Sequence, residues 1–221
     1  MSRFGLLTAL CVPGLLVLSA CGSGQGASPG AGSAGTAATA AASPAASSPA
    51  GAPPVAVRIG RYTQEFATPL PADPAQARVV EGFQQTQILW DRSLSAWHLV
   101  APVTGYVTGK ALVTLHQAIQ WNRKYNLKIA GMDRFYSIRV TGITGRRATV
   151  TSCDDARKLM EVDASTGRVV PQTVSPPDKA YLFEIWHMVE LSGHWGLASV
   201  RPYPEPSPQA ELCRSLPDAR A

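Results

Sequence analysis

Apolar positions fall into three regimes along this chain: a short unbroken run near the start, a long stretch lacking large side chains, and a region with a defined period. The periodic region opens at Asp73-Pro74, a capping side chain followed by proline at the first helical position. From there Val79, Val80, Phe83, Trp90, Leu94 and Trp97 recur at steps of three, four and seven residues, which marks one face of a helix ending near residue 97. A turn around Pro102-Gly105 precedes a second helix from about Thr108 to Asn126, with Leu112, Leu115 and Ile119 inward and Asn126 as its stop.

Beyond Gly131 the period becomes two. Tyr136, Ile138 and Val140 alternate with polar residues, Gly142 to Gly145 supplies a turn, and Ala148, Val150 and Ser152 form a second strand ending near Asp154-Asp155. A strand over about Lys158 to Val162 leads to a Ser165-Thr166-Gly167 turn, followed by Arg168-Val169-Val170 and a proline-rich loop, Pro171 to Asp178. The alternation over Tyr181 to Leu191 puts Tyr181, Phe183, Ile185, His187, Val189 and Leu191 on one face. Ser192-Gly193 then turns the chain into a last strand, His194 to Tyr203. Helices followed by an antiparallel meander predict an α+β fold, with the helices packed on one face of the sheet.

The start of the chain is a different matter. Arg3 precedes an apolar run of about 16 residues that ends in Leu18-Ser19-Ala20-Cys21. The order of charge, apolar run and small residues is that of an export signal. The run is shorter than the roughly 20 residues a spanning helix needs, and Pro13-Gly14 would break a helix in mid-membrane. The closing quartet resembles a bacterial lipobox. That resemblance implies cleavage between Ala20 and Cys21 and a diacylglyceryl group on the Cys21 thiol. Two or more acyl chains, palmitate among them, hold a protein stably on a bilayer, whereas one holds it marginally. An ordinary secretory signal with a chance cysteine is the alternative.

Residues 22–54 contain only Gly, Ala, Ser, Pro and Thr apart from Gln25. Such a segment buries nothing that offsets chain entropy and is expected to be disordered. As a flexible coil it spans about 30 Å on average and about 110 Å when taut. The order suits a tether that carries a domain clear of a membrane; sugars on its Ser and Thr are an alternative to a plain spacer. The expected organisation is therefore a signal peptide over 1–20, a lipid-anchored linker over 21–54, a lead-in over 55–73, a domain over 74–203 and a proline-rich tail over 204–221.

Charge and cysteine content narrow the picture. Without the signal, 19 basic residues face 15 acidic ones, and the basic pairs Arg123-Lys124, Arg146-Arg147 and Arg157-Lys158 are scattered without aromatic interleaving. Nucleic acid is not an expected partner. With Cys11 removed and Cys21 acylated, Cys153 and Cys213 remain. Outside the cytoplasm an even pair reads as a disulfide, with two free thiols as the alternative. Closing a loop of that size stabilises by about 4 kcal/mol on the loop-entropy account.

Several features together resemble the nuclear transport factor 2-like (SnoaL-like) superfamily, whose cone-shaped fold wraps a curved antiparallel sheet around N-terminal helices. They are the aromatic helix Val79–Trp97, the Gly109-Lys110-Ala111-Leu112 helix entry, the strand from Ala148-Thr149-Val150 to Cys153-Asp154, and the Gly193-His194-Trp195 hairpin. With the Ala/Gly-rich tether, the chain is similar to exported actinobacterial lipoproteins of that superfamily, over about residues 74–203. The resemblance implies a pocket between sheet and helices, where enzymes of the superfamily place an acid or base opposite a polar partner. Candidates here are His187 and Tyr136 on the sheet, and Asp154, or its neighbour Asp155, at the mouth. A hydrogen-bonded core histidine and solvated strand-end aspartates are the blander readings.

No metal or other cofactor is expected. His194 should pair near Leu191, roughly 13 Å along the strands from His187 and too far to share an ion. His98 and His116 lie on helices without a ligating partner, and a nucleophile elbow, phosphate loop or nucleotide fingerprint is missing. The expected function is a membrane-anchored, extracytoplasmic binding domain of the cell envelope. Its expected partners are membrane lipid through acylated Cys21, and an envelope protein or an apolar small molecule. The competing class is a small-pocket isomerase, dehydratase or cyclase. A hollow interior would favour the enzyme, and one filled by Trp and Phe the binding domain.

Overall fold

A computed structural model of the chain describes residues 54–171 and 180–216. The signal segment, Cys21, the linker and most of the 171–178 loop lie outside the described residues. Residues 55–73 are more than a lead-in. They begin with a hairpin of β1 (Val55–Ile59) and β2 (Tyr62–Phe66), turned at Gly60-Arg61 with Gly60 at φ 64°. Helix α1 (Pro74–Ala96) follows, and its Asp73 cap accepts the Gln76 N–H at 2.8 Å. It ends at Trp97 in the left-handed region, whose indole N–H donates to the Leu127 carbonyl at 2.8 Å. That bond ties the helix end to the start of the main strand.

A short α2 (Val103–Tyr106) and α3 (Gly109–Lys124) lead into β3 (Leu127–Thr144). β3 is far longer than the alternation after Tyr136 predicts, because two bulges, beside Tyr136 and Val140, bend it without ending it. β4 (Arg147–Asp155), β5 (Leu159–Asp163), β6 (Tyr181–Leu191) and β7 (His194–Pro204) complete the strands. The tail then forms α4 (Pro208–Ser215), with the Ser207 hydroxyl accepting the Ala210 N–H at 3.2 Å.

The fold is α+β: a curved, unclosed sheet of 7 strands and four helices among the described residues. Strand order is β1-β2-β3-β4-β6-β7, with β5 paired to the first part of β3. The sheet is mixed, a correction to the antiparallel expectation, because β2 runs parallel to β3. A parallel pair needs a long crossover, and the segment carrying α1, α2 and α3 supplies it. Those helices cover one sheet face, and the main core lies between. α1 crosses β7 so closely at Gly82 that a Cβ there would stand 2.5 Å from the Trp195 Cβ.

β6 corrects a second expectation. Trp186 and Met188 enter the main core, while His187 is exposed on the opposite face. The parity was misleading because both faces of the strand are covered. Tyr181 and Phe183 pack on the outer face under α4, together with Tyr136. Meanwhile the fully buried Glu184 disguises the inner face as polar. A disulfide between Cys153 and Cys213, with Cα atoms 5.5 Å apart, fastens α4 to β4 there.

Candidate functional site

Between α1 and the inner face of the sheet the core holds packed aromatic rings. Phe66 of β2, Phe83 of α1, Phe135 of β3 and Trp186 of β6 meet there. Phe66 and Phe135 stack at 5.6 Å between centroids, Phe83 stands edge-on to Phe135 at 5.8 Å, and Trp186 closes on Phe83 at 5.2 Å. The three phenylalanines are at most 1% exposed. Edge-to-face and offset contacts at these distances are favourable ring geometry, so the cluster is a cohesive core.

Polar side chains border this cluster on the same side of the sheet. The Gln64 amide donates to Asp91 Oδ2 at 2.9 Å, joining β2 to α1, and the Tyr62 hydroxyl donates to Asp133 Oδ2 at 3.1 Å. The Trp186 indole N–H donates to the Ser152 hydroxyl at 2.8 Å. Asp154 follows Ser152 on that face, 1% exposed, at the level of Phe135 and Leu182 in the strands beside it. Burying carboxylates and amides is costly unless they are hydrogen-bonded, so this layer fixes the helix-to-sheet register as much as it offers chemistry.

The sequence-predicted residues do not assemble. Tyr136 lies on the outer face, fully buried, and its hydroxyl donates to the Cys213 carbonyl at 2.8 Å. Burial first, then the nearby Tyr181, Asp155 and Asp154, pushes its phenol well above the ordinary range. Tyr136 is thus a neutral structural donor. Asp154 is on the inner face, and His187 is exposed on the outer one. Asp155 pairs with Arg157 at 2.7 Å. Of the other histidines, His98 and His116 are exposed, and His194 opposes Leu191 as expected, with its Nε2 2.8 Å from the Gly105 carbonyl.

A cleft that the sequence reading missed lies elsewhere. It has a volume of about 580 Å³ and is bounded by the β1–β2 turn, the end of α1, the start of β3 and the turn after β5. Ile59, Ile129 and Val162 give it an apolar floor; Arg61, Arg92 and Lys128 bring positive charge. Lys128 Nζ is engaged, donating to the Ser95 carbonyl at 2.9 Å and lying 4.8 Å from the Trp97 ring centroid. Arg61 crosses Gly167, where a Cβ would collide with its guanidinium. The rim carries Asp163, whose Oδ1 accepts the N–H and hydroxyl of both Ser165 and Thr166, while Oδ2 accepts the Asn126 amide at 2.9 Å. These bonds, those of Thr166 foremost, hold its carboxyl well below the usual carboxylate range. No local signal could have revealed this cleft, since its walls come from four elements far apart in sequence.

No family model and no curated protein matches the sequence. Solved structures of similar shape exist at low identity. A putative aromatic ring hydroxylase from Novosphingobium aromaticivorans is 13% identical, with a TM-score of 0.41 over 61% of this chain and 92% of that one. A ketosteroid isomerase-like protein from Erwinia carotovora is 14% identical, with a TM-score of 0.36 over 57% and 96%. The intermembrane space region of the chloroplast protein ARC6 is 11% identical, with a TM-score of 0.38 over 62% and 100%. Likenesses this distant carry no function across.

Proposed function

We propose that this chain is a lipid-anchored, extracytoplasmic protein of the cell envelope whose folded part is a non-catalytic binding domain of nuclear transport factor 2-like shape. The observation that carries the non-catalytic half is the ring cluster of Phe66, Phe83, Phe135 and Trp186, which fills the space a pocket enzyme of that shape would keep open. The anchor half rests on Leu18-Ser19-Ala20-Cys21 and on the tether of small residues behind it. The Cys153–Cys213 bond supports an oxidising, extracytoplasmic setting. Among the described residues no helix is long and apolar enough to cross a membrane.

One feature favours the enzyme reading, an isomerase, dehydratase or cyclase: Asp133, Asp154 and Glu184 are buried on the inner side of the sheet, as an acid–base residue would be. They stand beside packed rings, so the binding reading is preferred. Membrane fractionation of wild type and Cys21→Ser tests the anchor. The account expects wild type in the membrane pellet and the variant in the soluble fraction; equal membrane association would overturn it.

A further inference from the structure

The geometry points to the cleft beside Arg61 and Arg92 as a binding site for a small soluble amphiphile with an anionic head, phosphate or carboxylate, on a short apolar body. Its volume of about 580 Å³ lies within the range of small-molecule sites. Its two ends differ in chemistry. Ile59 and Ile129 belong to a small apolar cluster with Tyr62 and are 7% and 5% exposed, so the floor is fixed by packing. Over it stand two exposed guanidiniums from separate elements, Arg61 at the hairpin turn and Arg92 near the end of α1.

Neither guanidinium is held by an ion pair or a side-chain hydrogen bond among the described residues. Four arginines elsewhere in the fold do pair with carboxylates: Arg134 with Glu65, Arg157 with Asp155, Arg214 with Glu205 and Arg78 with Glu190. The one carboxylate on the rim, Asp163, is turned to its own turn and to Asn126 and makes no ion pair with either arginine. Lys128 adds a third cation to the wall. Two guanidiniums without an ion pair among the described residues, facing one space, suit an oxygen-rich anion, which takes paired N–H donors. A purely apolar ligand would use the floor and leave the forks idle; inorganic phosphate would do the reverse. The site does not depend on the anchor, and its test is independent of it.

The test is calorimetric titration of the full chain carrying Cys21→Ser with hexyl phosphate and hexanoate, against hexanol and inorganic phosphate. The assignment expects hexyl phosphate and hexanoate to bind at least ~10-fold more tightly than hexanol, and hexyl phosphate more tightly than inorganic phosphate. Arg61→Gln combined with Arg92→Gln should weaken both anions by ~10-fold or more. Ile59→Ala, which trims the apolar floor, should weaken hexyl phosphate while sparing inorganic phosphate. Arg58→Gln, outside the cleft, should change nothing. The proposal is overturned by equal binding of hexanol, by an unaffected double variant with an unchanged unfolding curve, or by binding only to phosphatidylglycerol vesicles and not to the soluble anions.

Discussion

Replacing Phe135 with alanine removes the ring at the centre of the cluster. Phe135 is 0% exposed and touches three rings, Phe66 at 5.6 Å, Phe83 at 5.8 Å and Trp186 at 6.4 Å between centroids. At about 25 cal/mol per Å² over on the order of 100 Å² of lost apolar burial, the transfer term is about 2.5 kcal/mol. A residual void on the order of 80 Å³, at about 24 cal/mol per Å³, adds about 2 kcal/mol. The predicted destabilisation is therefore about 3–5 kcal/mol, the usual range for such a truncation. Urea unfolding followed by tryptophan fluorescence measures it, with an unchanged slope showing that the denatured state is the same. The void would be apolar and closed, so the variant should also be stabilised by benzene while wild type is not. A loss below about 1 kcal/mol, or benzene stabilising wild type equally, would refute the claim that the interior is packed.

Gly82→Ala should cost about 1–3 kcal/mol in the same assay, because its Cβ would stand 2.6 Å from the Trp195 carbonyl oxygen and α1 would have to lift off β7. Reducing the Cys153–Cys213 bond, whose sequence separation is 60, should lower stability by about 4 kcal/mol and expose α4 to proteolysis. Tyr136→Phe should cost about 1 kcal/mol, since the Cys213 carbonyl loses the shorter of its two hydrogen bonds and keeps the one from the Leu216 N–H at 3.3 Å. The depressed Asp163 carboxyl contributes stability that is fully present above the ordinary carboxylate pKa of about 4 and is lost as pH falls through the folded value. Acid titration of unfolding should therefore show a shallower decline for Asp163→Asn than for wild type below about pH 4.

Local signals were readable in the sequence, and distant ones were not. Asp73-Pro74 marks the start of α1 because a cap and a proline act within one turn. Ser207-Pro208 carries the same signal for α4, and the surrounding prolines hid it. The hairpin was also available, in the alternation of Val55, Val57 and Ile59 before Gly60. The facing of β6 was not, because alternation identifies an inner face only when the other side meets water. Here α4 covers that side, an arrangement set by Cys213 reaching back across the chain to Cys153. The candidate site suffered most. His187 and Tyr136 do share a face of the sheet, but it is the outer one, where the first is exposed and the second serves the α4 contact. The convergence of Arg61 and Arg92 required the hairpin to be placed first.

Intact mass spectrometry of protein extracted from membranes tests the anchored reading most directly. The account predicts a chain that begins at Cys21 and carries the added mass of acyl chains on that residue. An unmodified mass for 21–221, or one retaining the first 20 residues, would contradict it.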